Sequence, residues 1–305
     1  MSLDEYDDSD FEYKEETENG KEGIVYFGQK GAGKTSAAYL LEGKKVVLSF
    51  DGKSLRVKEL MRPDDGDITV LDASKYISHW KNKMTEGGKK TVEYCKWLLN
   101  ETTKRGGCDW VIIDGLEMLI EAAEMAMRFD HKIGPFDGFA NMGFWKDRRA
   151  NIRAIHDSAF ACATKGVVWT SYIDKDEIVN NATLVKKTDI PKWMDIVMYY
   201  TDAVVKCQID TIEGKERFRL YVLTSKIRRF KTGDVLDVTD VLTLSDAKPV
   251  GAVPESDKVN LDKAIKRKKA KYSLDKCPQC SADTANAGGV IHCPKCDWVH
   301  EDEGD

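Results

Sequence analysis

The chain has 305 residues, 42% apolar and 32% charged, with a formal net charge of −5. That length is enough for one large α/β domain and a small appendage. No apolar run approaches the roughly 18–20 residues that cross a bilayer, and the acidic N-terminus lacks the apolar stretch of a secretory leader, so the expectation is a cytoplasmic protein without membrane contact.

Charge is distributed unevenly. Residues 1–20 hold nine acidic side chains against Lys14, and the last five residues add four more, which leaves the body between them near +7. Acidic ends on a basic body suit a nucleic-acid binder whose tails compete for the same surface. They suit equally well tails that only solubilise. Residues 1–22 are expected to be a disordered acidic tail.

From Gly23 onward, strands alternate with helices. GIVYF (23–27) is a short buried strand, followed by a glycine-rich loop and a helix over 34–42. KVVLSF (45–50) and DITVLD (67–72) are further strands. Residues 75–84 and 89–105 read as two helices broken at Gly87-Gly88. DWVIID (109–114) is an apolar strand ending in a carboxylate. Leu116, Leu119, Ile120, Ala123 and Met127 then repeat at helical spacing, as do Trp145, Ile152, Ile155 and Ala159. GVVWTSY (166–172) is a buried strand, and residues 173–192 read as irregular. AVVKCQI (203–209) and RFRLYVL (217–223) flank a turn at 213–215 and predict an antiparallel hairpin. This alternation implies an α/β fold: a mostly parallel central sheet, helices on both faces, and a terminal hairpin. The core is expected over 23–245, with a basic linker over 246–272.

The glycine loop reads Gly28-Gln29-Lys30-Gly31-Ala32-Gly33-Lys34-Thr35, which matches the phosphate-binding pattern G-x-x-x-x-G-K-[ST] in full, between a strand and a helix. Its glycines let backbone N–H groups, continuing to Ser36, turn inward around a phosphate chain. Lys34 would reach the β- and γ-phosphates of ATP, and the Thr35 hydroxyl would ligate Mg²⁺. Asp114 would hold the same Mg²⁺ from its strand end, or cap the helix that follows, or both. Asp51, after the second strand, and Glu117, three residues beyond Asp114, are rival groups for orienting the attacking water. Thr170 and Ser171 end a strand where polar groups could sense the γ-phosphate.

From about residue 23 to 235 this order resembles the RecA superfamily: phosphate loop, carboxylate-ended strand, VIID, a Trp/Arg-rich helix, a strand ending in TSY, a hairpin and then Lys226-Ile227-Arg228. The resemblance is to RecA-like ATPases of the DnaB and KaiC types. The pattern is nearest to short RecA-like ATPases of phages and archaeal viruses, including single-strand-annealing recombinases. It implies a homo-oligomeric ring or filament in which Lys226 and Arg228, with Arg229 as fallback, enter the neighbouring subunit's ATP site. It also implies contacts to DNA, single-stranded above all, from loops 130–143 and 173–192, which offer His131, Lys132, Phe136, Phe139, Lys186, Lys187 and Lys192. One departure is Asp51, where the family carries Glu.

Near the C-terminus, Cys277-x-x-Cys280 and Cys293-x-x-Cys296 stand twelve residues apart, the spacing of a Cys₄ site for structural Zn²⁺. Residues 273–300 read as a zinc ribbon, preceded by the basic run 263–271 and followed by an acidic end, 301–305. The function expected is an ATP-hydrolysing, RecA-like protein acting on DNA in recombination or single-strand annealing. A helicase or genome-packaging motor, and a nucleotide-gated binding module with slow hydrolysis, remain as alternatives.

Overall fold

The computed structural model describes residues 20–62, 65–77, 80–138, 142–180, 183–265, 285–287, 290–292 and 299–301. The strands are β1 (Glu22–Phe27), β2 (Lys45–Ser49), β3 (Ile68–Asp72), β4 (Cys108–Asp114), β5 (Ala163–Ser171), β6 (Ile173–Asn180), β7 (Thr183–Pro191), β8 (Ala203–Ile212), β9 (Lys215–Ser225), β10 (Asp234–Asp237) and β11 (Lys248–Ala252). The helices are α1 (Lys34–Tyr39), α2 (Ser54–Met61), α3 (Trp80–Lys104), α4 (Leu116–Asp130), α5 (Trp145–Cys162) and α6 (Met194–Val197).

Nine strands form one sheet in the order β11-β10-β9-β8-β1-β5-β4-β2-β3. The strands from β3 to β8 run parallel, and β9, β10 and β11 continue antiparallel. The mostly parallel α/β sheet with a terminal hairpin is thus the fold that the alternation implied. The hairpin turns at Glu213 and Gly214, both at positive φ (52° and 77°), as a tight two-residue connection requires.

Successive residues of a strand point to opposite faces, and both faces here are covered, so the central strands carry almost no polar residue. Val25, Phe27, Leu48, Val111, Ile113, Val167 and Trp169 pack on one side against α3, α4 and α5. Ile24, Tyr26, Val47, Trp110, Ile112 and Val168 pack on the other against α1 and the segment that carries Phe230, Leu236 and Leu244. Among the described residues no helix is long and apolar enough to cross a membrane.

Four local expectations change. The first helix ends at Tyr39, and Leu40 and Leu41 close it with bonds to the carbonyls three residues back. The expected break at Gly87-Gly88 does not occur. α3 runs through it, and its one non-helical residue is Lys83. Gly88 is there for packing: a Cβ at this position would lie 2.3 Å from Met125 Cβ and 2.8 Å from the Ala122 carbonyl oxygen on α4. The stretch 173–192, read as irregular, is the antiparallel pair β6–β7. The core does not stop at residue 245, because β11 pairs with β10, and Val253, Leu261, Ala264 and Ile265 are buried in the larger core. Their apolar spacing across a segment with Pro254 and many charges had masked this.

Residues 285–287, 290–292 and 299–301 form a separate three-stranded antiparallel sheet. Cys277, Cys280, Cys293 and Cys296 lie outside the described residues, as do residues 1–19 and most of the basic run.

In an open helix position, Gly→Ala adds about 1 kcal/mol of stability. Gly88→Ala is expected to do the reverse and cost about 1–3 kcal/mol, because overpacking outweighs propensity. Urea unfolding of the two forms checks the sign.

Candidate nucleotide site

The strand register builds the site. Ser49 on β2 is level with Asp114 on β4, and Asp114 is level with Thr170 on β5. These three ends form one row at the carboxyl edge of the sheet, on the face that carries Trp110, Ile112 and Val168 and meets α1. The loop 28–33 leaves β1 at the same edge. Gly31 and Gly33 both sit at φ 83°, a left-handed conformation open to glycine, and Gly33 stands directly before Lys34 at the start of α1.

Asp114 is 7% exposed and receives four hydroxyl contacts. Thr35 Oγ1 donates to its two carboxylate oxygens at 2.9 and 3.1 Å. Ser54 Oγ donates at 2.6 Å and Thr170 Oγ1 at 2.6 Å. Thr170 also accepts the Gly115 N–H at 3.0 Å, which fixes the turn into α4. Ser54 is held in turn, since its hydroxyl lies 2.8 Å from Ser49 Oγ and its carbonyl accepts the Tyr39 hydroxyl at 2.9 Å. Asp114 therefore does not cap α4; the cap residue is Gly115, with no side-chain bond.

Lys34 Nζ donates to the carbonyls of Gly28 (3.0 Å) and Gln29 (2.9 Å) and lies 4.5 Å from the centre of the Tyr172 ring. Burial lowers its pKa, while the nearby carboxylates of Glu117, Asp114 and Asp51 act to raise it. Around this lysine is an open pocket of about 230 Å³, lined by Lys30, Gly31, Gly33, Lys34, Thr35 and Ser36 on one side and by Asp51, Asp114, Glu117, Thr170 and Tyr172 on the other.

The two rival carboxylates differ. Asp51 is bound to its own turn: it accepts the Lys53 N–H at 3.0 Å and pairs with Lys53 Nζ at 3.3 Å. Glu117 Oε1 accepts the Ser171 hydroxyl at 2.9 Å and the Tyr172 N–H at 2.6 Å. Its Oε2 is buried without a hydrogen-bond partner among the described residues. Ser171 Oγ also reaches the Lys192 carbonyl at 2.9 Å, and Lys192 N–H donates to the Tyr172 carbonyl at 2.9 Å. Glu117 thus holds the neck from which the β6–β7 arm projects.

Lys226 and Arg228 are not brought to this pocket. Ser225 pairs with Ala203, and Ala203 lies level with Ile24, at the opposite end of the strands from Gly28. Arg229 is engaged within the chain, 2.7 Å from Glu22 and over the Trp110 ring at 5.0 Å. Of the loop residues, His131 contacts Asp147 at 2.7 Å and stacks on Phe144 at 3.8 Å, which gives it a structural role. Phe136 is 85% exposed. Phe139 and the side chain of Lys186 lie outside the described set. Ser49 and Ser54 went unread in the sequence. A polar end on a buried strand was a usable signal for Ser49, whereas nothing local marks Ser54.

No protein-family model matches the chain, and no curated protein sequence matches it. Solved structures that the chain matches include the flagellar accessory protein FlaH from Methanocaldococcus jannaschii, at 11% identity and TM-score 0.40, covering 76% of this chain and 90% of that one. A KaiC-like protein from Pyrococcus horikoshii OT3 matches at 9% identity and TM-score 0.36, covering 71% and 84%.

Outer groups that orient a metal ligand are typically worth about 10- to 100-fold in metal affinity. Ser54→Ala is therefore expected to weaken nucleotide binding about tenfold in the presence of Mg²⁺ and to leave metal-free binding unchanged. Titration with a fluorescent nucleotide, with and without Mg²⁺, checks this.

Proposed function

We propose that this protein is a RecA-like, Mg²⁺-dependent ATPase acting on DNA. The observation that carries the ATPase reading is the convergence of Lys34, Thr35 and Asp114 at one pocket, with the buried Glu117 Oε2 beside them. The amides of the loop and the Lys34 ammonium would bind the triphosphate, Lys34 giving up its two carbonyl contacts to do so. The Thr35 hydroxyl and the Asp114 carboxylate are hard oxygen donors and suit Mg²⁺. Bound there, Mg²⁺ would neutralise phosphate charge.

Glu117 is the better candidate for orienting water. Its Oε1 is fixed by two donors, which leaves Oε2 to accept a proton, whereas Asp51 is engaged with Lys53. Thr170, already bonded to Asp114, would fix that carboxylate's orientation. In this reading the protein works in the cytoplasm as a homo-oligomer, and Lys226 and Arg228 complete a neighbour's site, since they lie at the far edge from their own. The basic body, the β6–β7 arm and the exposed Phe136 support single-stranded DNA as partner, in recombination or annealing. A nucleotide-gated module with slow hydrolysis is the second reading, favoured by the closed neck under Glu117.

Glu117→Gln is expected to lower the ATP turnover rate at least about 100-fold while nucleotide affinity stays within a few-fold, and Asp51→Asn to change turnover little. Steady-state hydrolysis with and without single-stranded DNA measures both. DNA stimulation that Lys226→Ala/Arg228→Ala abolishes supports the trans contact, and a rate indifferent to DNA favours the gated module.

The four C-terminal cysteines are proposed to hold one structural Zn²⁺, because two C-x-x-C pairs provide a closed set of soft ligands. Metal analysis should find one zinc per chain. Removing it with a chelator should make residues 266–305 sensitive to protease while ATP hydrolysis without DNA persists.

A further inference from the structure

Four cysteines are buried in the sheet domain, and two of them form a pair. Cys108 opens β4 and Cys162 closes α5, and their sulfur atoms are 3.9 Å apart. Cys95 and Cys207 are buried singly, and burial pushes both thiols up to about 12. The pairing is built into the backbone. Cys108 is level with Ala163, the residue after Cys162, in the β4–β5 register. The turn that delivers Cys108 runs through Gly106 and Gly107, both at positive φ. A Cβ on Gly107 would lie 2.6 Å from the Cys162 carbonyl oxygen, so the turn presses directly on the end of α5.

We propose that Cys108 and Cys162 form a reversible intrachain disulfide when the protein meets a peroxide. The two sulfurs must close from 3.9 Å to a bond of about 2.05 Å, which would take side-chain rotation at both cysteines. The pair is also electronically unequal. The hydrogen bond between the thiols lowers Cys162 and, together with burial, raises Cys108, and the Lys21 ammonium adds to the lowering of Cys162. Cys108 Sγ donates to the Trp110 carbonyl at 3.2 Å, which keeps its proton, so in this proposal Cys162 attacks as the thiolate and Cys108 is the resolving thiol.

The chemistry balances with one hydrogen peroxide. The Cys162 thiolate attacks a peroxide oxygen, the O–O bond breaks, and a sulfenic acid forms as the departing hydroxide takes a proton to become water. The Cys108 sulfur then attacks the sulfenic sulfur, its proton leaves with the hydroxyl as a second water, and the S–S bond closes. Two thiols are oxidised and the peroxide is reduced to two waters. The bridge would tie the first residue of the strand that ends in Asp114 to the helix crossing behind it. It lies at the other end of β4 from the pocket, so nucleotide affinity should not change.

The test treats the full-length protein with a small molar excess of hydrogen peroxide, blocks remaining thiols with iodoacetamide, and digests with trypsin without reductant. A linked species of peptides 106–128 and 154–165, lighter by two hydrogens than their sum and split by dithiothreitol, is expected, together with a higher Tm for the oxidised protein. Cys108→Ser should leave Cys162 as a sulfenic acid that dimedone traps. If both cysteines of the wild-type chain instead carry iodoacetamide after peroxide, or if either links to Cys95, Cys207 or a C-terminal cysteine, the proposal fails.

Discussion

Asp114 is a carboxylate nearly closed off from water, and a charge in that position is costly unless hydrogen bonds surround it. The hydroxyls that surround it come from α1, α2 and β5. Each donor depends on its own element being in register: Thr35 in the first turn of α1, Ser54 at the start of α2, and Thr170 on the strand inserted between β1 and β4. The buried carboxylate thus ties together the loop, the sheet edge and the second helix. The groups that fix Asp114 are also those beside which a phosphate chain would lie, so stability and the proposed phosphate site depend on the same contacts.

A second set of contacts joins this edge to the parts of the chain that project from it. Glu117 fixes Ser171 and Tyr172, and these fix Lys192, closing the base of the β6–β7 arm. Beneath the arm, Lys206 of β8 is buried and contacts Asp189 on β7 at 2.9 Å and Asp257 at 3.1 Å, while Lys175 on β6 pairs with Asp189 as well. Burial opposes the charge on Lys206, but its two carboxylate partners prevail and raise its pKa. A lysine placed this way holds the arm and the segment leading to the C-terminal region to the strand next to the phosphate loop. Removing one partner of such a group leaves an unpaired buried charge, which is why buried ion networks fix geometry even where they add little net stability.

Much of the fold was legible because a doubly covered parallel sheet needs uninterrupted apolar strands, and GIVYF, KVVLS and WVII are of that kind. The glycine loop was legible because its spacing is set by backbone geometry within eight residues. The errors have a common cause. Gly88 looked like a helix breaker because its partner, the Ala122–Met125 stretch of α4, is more than thirty positions away. The β6–β7 arm looked irregular because its strands are mostly polar and gain their order from pairing with each other. Residues 253–265 looked like linker because a handful of apolar side chains among charges reveals nothing until the core they fill is known.

The sequence by itself determined the phosphate loop, the strand that ends in Asp114 and the hairpin turn, since each is a short-range pattern dictated by local backbone geometry. Only the tertiary structure engaged Asp51 with Lys53 and Glu117 with Ser171 and Tyr172, brought Ser54 and Thr170 to Asp114, put Lys226 and Arg228 at the far edge, and set Cys108 against Cys162. Those facts depend on which strands lie side by side and in what register, and that is decided by burying the whole sheet at once rather than by any stretch of chain alone.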